Sequence, residues 1–153
     1  MPHYFIKEFG NKFFKNLNCH QYYNSRYNWN DLHIETLKIL KKFAKNNPKT
    51  LIIIKNKIGA NYNQKDYLNL PKNIEVVFGG VGHQLLKNSK VVIGWNTTSI
   101  MESMAANRFI LLPYFHVNKK DFNIDNELLL KLKKKNYGYS PNDFYNKLEY
   151  FVN

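Results

Sequence analysis

The chain has little cysteine: Cys19 is the only one in 153 residues. A single thiol cannot form a disulfide within the chain and offers no metal-ligand spacing. Both a disulfide-stapled fold and a cysteine metal centre are therefore excluded. We expect Cys19 to be a structural thiol in a protein of a reducing compartment.

Long apolar runs are also missing. No run approaches the roughly 18 apolar residues that a membrane-spanning helix needs. Residues Met1 to Gly10 lack the apolar core of a signal peptide. We therefore expect no transmembrane segment and a cytoplasmic location, which could include a peripheral position at the inner membrane surface.

Acidic residues are scarce, with 11 Asp and Glu against 23 Lys and Arg. Such an excess raises the question of a nucleic-acid partner. Most of the excess is lysine spread along the chain, and no recognition-helix, zinc-finger or RNP-type pattern accompanies it. The sequence therefore predicts no nucleic-acid partner, and it favours attraction to phosphorylated donors or to an anionic membrane surface.

What is present is a series of short apolar runs, near residues 51–54, 74–78, 91–94 and 109–112. Runs of this length without polar alternation are typical of parallel strands buried on both faces. The intervals between them are long enough for the crossovers that parallel pairing requires. The pattern predicts a three-layer, Rossmann-like α/β domain with a mostly parallel sheet.

One domain is the natural count for a chain of this length. We expect it to span 1–153, with a poorly defined N-terminal segment at 1–30 and a nucleotide-binding core at 31–153. Within 1–30, Tyr4 to Ile6 is predicted to be an edge strand and Asn11 to Leu17 a short helix.

Helices are predicted at three further places. Asp31 is expected to cap a helix that runs to about Lys45, with His33 at the surface of its first turn. A basic helix is predicted from Asp121 to Lys135. A last amphipathic helix, Phe144 to Val152, is expected to be capped by Asn142 or Asp143.

The stretch from Lys90 to Phe115 predicts a strand, a turn, a helix and a second strand. The turn and helix start carry hydroxyls and backbone N–H groups beyond the carboxyl end of the first strand, at Asn96, Thr97, Thr98 and Ser99. A phosphate could bind there. The same residues also allow a purely structural capping box between Ser99 and Glu102. Both interpretations stay open at this point.

This strand, hydroxyl-rich turn, Ser-x-x-Glu and second strand ending in Pro113 resemble the carboxy-terminal, nucleotide-binding domain of GT-B glycosyltransferases. The bacterial enzymes of capsule and lipopolysaccharide synthesis are the nearest comparison. The resemblance implies that Thr97, Thr98 and Ser99 contact the phosphates of a nucleotide-sugar donor and that Glu102 holds the ribose. The chain departs from the family at Asn107, where glycine is usual.

Other residues at the predicted carboxyl edge are candidates for the same site. Lys55 directly follows the run 51–54, where related transferases commonly carry a basic residue. Phe78 and the glycines at 79 and 80 follow the run 74–78, and the resemblance makes them a wall beside the nucleotide base. The glycines do not form G-x-G-x-x-G, so dinucleotide binding is weakly supported. His83 could approach the sugar or phosphate, although histidines at helix starts are usually polar caps.

The predicted domain corresponds to only one half of a GT-B fold. The sequence holds no paired carboxylates, no supported Ser-His-Asp arrangement and no metal cluster, so no catalytic residue, metal or cofactor is assigned. The nucleotide-sugar is a substrate, and an N-terminal half-domain or a membrane-associated partner is expected to complete the enzyme. Two alternatives stay open, a relative of nucleotide-sugar 2-epimerases or CDP-glycerol phosphotransferases, and a non-catalytic interaction subunit.

Overall fold

The computed structural model describes residues 3–7, 29–56, 64–79, 82–94, 98–115 and 132–153. Six strands lie within these ranges: β1 (His3–Lys7), β2 (Ile52–Asn56), β3 (Ile74–Phe78), β4 (Val91–Ile93), β5 (Phe109–Pro113) and β6 (Tyr137–Gly138). The α-helices are α1 (Trp29–Asn46), α2 (Gly82–Asn88), α3 (Thr98–Ala105) and α4 (Pro141–Val152). Two 3₁₀ turns, Gln64–Tyr67 and Lys134–Asn136, precede β3 and β6.

All six strands form one sheet in the order β3-β2-β1-β4-β5-β6, and every neighbouring pair is parallel. This is the Rossmann strand order, in which the chain works outward in one direction from β1 and then in the other from β4. The predicted Rossmann-like α/β class is confirmed. The four predicted strands also appear, each within two residues of its expected ends.

The position of β1 differs from the prediction of an edge strand at Tyr4 to Ile6. The strand pairs with β2 on one side and with β4 on the other, so it lies at the centre of the sheet. The sheet therefore begins well before residue 31. Edge position depends on contacts between distant parts of the chain, which a three-residue apolar run does not encode.

Alternate residues of each strand face opposite layers, as the pleat requires. One face of the sheet packs against α1 and α4, through Ile52 and Ile54 of β2, Val91 and Ile93 of β4 and Leu111 of β5. The residues between them turn to α2 and α3, so that Ile53 and Val92 pack with Leu86 and Ile110 packs with Ile100. The molecule thus has helices on both sides of the sheet, which confirms the three layers.

The helix α1 presents its predicted apolar face, with Leu32, Leu40 and Phe43 buried. It begins at Trp29, so Asp31 lies inside the first turn and is not the predicted cap. Its end is held by Asn73, whose Nδ2 donates to the carbonyl oxygens of Ala44, Asn47 and Thr50 at 2.8 to 3.1 Å. That side chain joins the last turn of α1 to the start of β3.

The C-terminal part also corrects two predictions. The helix α4 starts earlier than expected, because Ser140 is its N-cap and accepts a hydrogen bond from the Asp143 N–H at 3.1 Å. Pro141 at the first helical position favours this start, since its fixed φ suits a helix and it lacks the N–H that would be unsatisfied. No strand is predicted at Tyr137 and Gly138, yet these residues form the short strand β6 beside β5.

Several predictions fall on residues that the structure does not describe. They are the helix from Asn11 to Leu17, the structural role of Cys19 and most of the basic helix from Asp121 to Lys135. Among the described residues, no helix is both long and apolar enough to cross a membrane.

Candidate functional site

The strand order reverses between β1 and β4, whose connections leave in opposite directions along the sheet. In open parallel sheets, this reversal opens a crevice beyond the carboxyl ends of the two strands, and ligands bind there. The crevice lies beyond Lys7 on β1 and Ile93 on β4. The chain leaves β4 through the buried Gly94 and enters α3 at Thr98. The predicted phosphate-binding residues therefore follow the strand at which the order reverses.

The helix α3 is fixed to the sheet by its buried face. Ile100 packs against Ile110 of β5. The fully buried Ser103 donates its hydroxyl to the carbonyl oxygen of Ser99 at 2.5 Å. These contacts hold the first turn of α3 in place at the carboxyl edge, where its N-terminal dipole end favours an anion.

Asn107 ends α3 in a left-handed conformation. This residue has a left-handed φ of 52°. Its N–H donates to the Met104 carbonyl at 3.0 Å, and the Arg108 N–H donates to the Ser103 carbonyl at 2.9 Å. These two bonds make a Schellman motif, in which asparagine takes the position that glycine usually fills. The departure from glycine at this position is therefore accommodated by the backbone.

The structure also bears on the capping box between Ser99 and Glu102. A capping box needs its serine immediately before the helix, whereas α3 already includes Thr98, so Ser99 lies within the first turn. Glu102 is exposed. Since residues three and four apart share a helix face, the Glu102 carboxylate lies on the same face as Thr98 and Ser99. The position of Glu102 therefore favours ligand binding by its carboxylate over a capping box with Ser99.

Lys55 emerges on the same side of the sheet as α3. It lies two residues after Ile53, which packs towards α2, so both side chains point to the α2–α3 face. Lys55 pairs with Ile6, one residue beyond the Phe5–Ile93 pair in the direction of the carboxyl edge. Two strand spacings, about 10 Å, separate β2 from β4. The long stem of the half-buried Lys55 suits it to reach a phosphate in the crevice.

Two of the weaker candidates, His83 and Phe78, lie on opposite faces of the sheet. His83 lies in the first turn of α2, is exposed, and belongs to the helix that packs beside α3. Phe78 is 52% exposed at the end of β3, but it alternates to the face of Val76, which packs on the α1 side. Three strand spacings, about 14 Å, separate β3 from β4. The structure brings His83 towards the start of α3 and leaves Phe78 away from it.

The remaining predicted residues are placed as follows. Gly79 has a left-handed φ of 63°, which turns the chain sharply after β3. Thr98 is the first residue of α3, and only its backbone is described. Asn96, Thr97 and Gly80 lie outside the described residues.

His33 is a residue that the sequence prediction misplaced. It was expected at the surface but is 2% exposed, with its ring centroid 6.2 Å from that of Tyr67. Its spacing could have revealed this, because His33, Thr36, Leu40 and Ala44 recur at helical intervals and all are buried. His33 thus lies on the buried side of α1, beside Tyr67 of the first 3₁₀ turn.

A second region of the carboxyl edge is aromatic. Tyr114 and Tyr137 are buried and meet edge to face at 5.5 Å, and the 41% exposed Tyr139 meets Tyr114 at 5.4 Å. Burial raises the pKa of Tyr137, and the neighbouring Tyr139 raises it further. Tyr114 and Phe115, which follow β5, are core residues. The exposed aromatic surface near them is Tyr139.

Comparison of the chain with protein-family models, with curated proteins and with solved structures found no match. Among the described residues, no group of three or more His, Cys, Asp and Glu side chains is placed to hold a metal ion. The strand order and the residues at the β1–β4 reversal are therefore the basis for a functional proposal.

Proposed function

We propose that this chain is the nucleotide-sugar-binding half of a glycosyltransferase for surface carbohydrate synthesis. One observation carries the proposal: two residues separate the hydroxyl-rich segment 96–99 from the end of β4, the strand at which the order of the parallel sheet reverses. In open α/β sheets, ligands bind in the crevice at such a reversal. The donor is a substrate in this proposal, and no cofactor is required.

Each candidate has a distinct part in binding the donor. The N–H groups at the start of α3 and the hydroxyls of Thr97, Thr98 and Ser99 bind the diphosphate, with Lys55 supplying positive charge. Glu102, one turn into α3, accepts hydrogen bonds from the ribose hydroxyls. A charged acceptor makes such bonds stronger than neutral ones.

The connection after β1 favours this arrangement over dinucleotide binding. In dinucleotide-binding Rossmann domains, the first strand leads into a glycine-rich turn that holds the pyrophosphate. Here the residues between β1 and α1 include a single glycine, Gly10. The sequence therefore favours a nucleoside diphosphate bound mainly by the start of α3 over a dinucleotide bound by the turn after β1.

Transfer to an acceptor needs groups that we do not assign within this chain. In the proposal, a second half-domain closes over the carboxyl edge and supplies the acceptor site and the catalytic base. The isolated chain is then expected to bind the donor weakly, because only one wall of the cleft is present. Weak binding without turnover is thus part of the proposal.

The substitution Glu102→Gln tests the assigned ribose contact. We expect it to weaken binding of a nucleoside diphosphate by about 1.5 to 3 kcal/mol, roughly 10- to 150-fold, because the charge-assisted bonds are lost. Calorimetric titration with UDP, CDP, ADP and GDP measures the effect on whichever nucleotide binds.

Glu75→Gln is the matched control, since it removes the same charge from an exposed glutamate of the outermost strand β3. Denaturant melts of both variants should stay close to the parent protein, because both side chains are exposed. Unchanged nucleotide affinity in Glu102→Gln would remove Glu102 from the site.

A further inference from the structure

The two edges of the sheet differ in charge. We use "amino edge" for the edge at which the strands begin, opposite the candidate site. Eight exposed lysines of the described residues lie there, in the helix ends and turns that lead into β2, β3, β4 and β6: Lys45, Lys49, Lys72, Lys87, Lys90, Lys133, Lys134 and Lys135.

Few acidic groups offset this charge. Among the described residues, the carboxylates at the amino edge are Glu75 and Glu149. Glu149 is half-buried and accepts hydrogen bonds from Asn47 and Asn153 at 2.9 and 3.0 Å. Most of the positive charge of the amino-edge lysines is therefore not neutralised by nearby carboxylates.

The carboxyl edge is different, because both signs are mixed there. Among the described residues, Asp31 and Glu102 lie at its helix starts, and Asp143 forms an ion pair of 2.8 Å with Lys147. Among the described residues, the exposed lysines are thus concentrated on the side away from the candidate site. This asymmetry is a property of the fold, since the lysines come from distant parts of the chain.

An exposed aromatic side chain accompanies the amino-edge lysines. Tyr150, in the last turn of α4, is 78% exposed, and its ring packs edge to face on Phe151 at 4.9 Å. Phe151 stacks on Phe109, the first residue of β5, at 3.5 Å, and Lys135 lies 5.9 Å from the Phe109 ring. A tyrosine with an apolar body and a polar tip, set among lysines, suits a boundary between water and lipid headgroups.

We propose that the amino edge docks on an anionic phospholipid surface. The charge is carried by lysines spread over an edge built from several elements, which matches a broad and diffuse negative surface. Nucleic-acid recognition favours arginine forks and aromatic stacking platforms. Here the eight exposed positive charges are all lysine, Arg108 before β5 is half-buried, and Tyr150 is the aromatic residue exposed among them. Docking by this edge leaves the carboxyl edge facing away from the lipid and open to a nucleotide.

Vesicle sedimentation tests the proposal on the whole chain. With vesicles of phosphatidylglycerol and phosphatidylcholine at about 0.1 M salt, we expect binding that pure phosphatidylcholine does not support and that about 0.5 M salt abolishes. Absence of binding to the anionic vesicles would overturn the proposal.

Two triple variants with the same change in net charge locate the binding face. The first, Lys49→Gln with Lys72→Gln and Lys134→Gln, removes lysines of the amino edge. The second, Lys38→Gln with Lys42→Gln and Lys65→Gln, removes exposed lysines elsewhere. Because each lysine near the lipid contributes about fivefold to partitioning, the first triple should weaken it by at least about tenfold and the second much less.

Equal losses in the two triples would overturn the proposal, since net charge alone would then explain the binding. Binding of a labelled single-stranded RNA is also measured for the parent protein and the first triple. If the first triple loses RNA binding but keeps vesicle binding, the edge is a nucleic-acid surface and the proposal fails. Nucleotide affinity at the opposite edge should be the same in the first triple and the parent protein, so either proposal can fail without the other.

Discussion

Gly138 lies so close to Phe144 that the packing leaves no room for a side chain. A Cβ atom added at this glycine would come within 2.6 Å of Phe144 Cβ and Cδ2. The Gly138 carbonyl also accepts a hydrogen bond of 2.7 Å from the Tyr114 N–H, which ties β6 to the end of β5. The glycine is thus required by close approach between β6 and α4.

We predict that Gly138→Ala lowers the free energy of unfolding by about 1 to 3 kcal/mol, through overpacking against a buried ring. Denaturant melts measure the loss. Phe144→Leu in the same chain should relieve part of the clash, so the double variant should be more stable than the sum of the two single changes predicts. Strict additivity would show that the Phe144 ring is not the cause, whereas the contacts with its Cβ and Cα remain in leucine.

Single residues also show which roles a sequence reveals. The left-handed conformation of Asn107 could be predicted, because asparagine after an apolar helix is a local signal. The burial of His33 was missed, because a histidine is polar by type and its place is set by the layer that covers it. The exposure of Glu102 was likewise not encoded locally, since it depends on which face of α3 meets the sheet.

The start of α4 shows how one element depends on a small group of polar contacts. The Asp143 carboxylate accepts hydrogen bonds from the Tyr139 N–H at 2.9 Å and from Lys147 Nζ at 2.8 Å. Lys147 also donates to the Tyr137 carbonyl at 2.6 Å. The first turn of α4 is thereby joined to β6. Partial burial by itself would raise the pKa of Asp143, but these hydrogen bonds and the charge of Lys147 outweigh it and lower the pKa below its usual 3.8.

This lowered pKa gives a pH dependence of known sign. A carboxyl with a lower pKa in the folded state stabilises the fold above its unfolded pKa, and the contribution is lost as the pH falls below about 3.8. We predict that the parent protein loses stability over this acid range and that Asp143→Asn loses less of it. Thermal melts from pH 6 to pH 2 measure the difference, with Asp31→Asn as an exposed control. Parallel curves for the parent protein and Asp143→Asn would contradict the assignment.

Elements differed in how well the sequence predicted them. The strands β2 to β5 were predictable, because a parallel strand buried on both faces needs a continuous apolar run. The two-residue strand β6 was not, because Tyr137-Gly138 has no such run and pairs only where β5 offers an edge. The start of α4 was predicted too late, with Asn142 or Asp143 as the cap, because proline also begins helices and Pro141 occupies the first helical position.

At the scale of the molecule, the sequence predicted the class and the layers but not the order of the strands. The order places β1 at the centre, and it is set by long-range packing that no local pattern contains. It is also what places the segment 96–99 at the reversal point. The candidate site therefore combines residues found in the sequence with a position that only the fold supplies.

The proposed nucleotide site and the amino-edge lysines lie at opposite edges of the sheet, so one experiment can tell which edge binds a nucleotide. Amide chemical shifts of the labelled chain, followed during titration with UDP, CDP, ADP and GDP to millimolar concentration, report where each nucleotide binds. We predict that one of them shifts the amides from Asn96 to Glu102, together with Lys55, while the amides around Lys49, Lys72 and Lys134 stay unchanged. No response between Asn96 and Glu102, or a response confined to the amino-edge lysines, would contradict a nucleotide site at the reversal between β1 and β4.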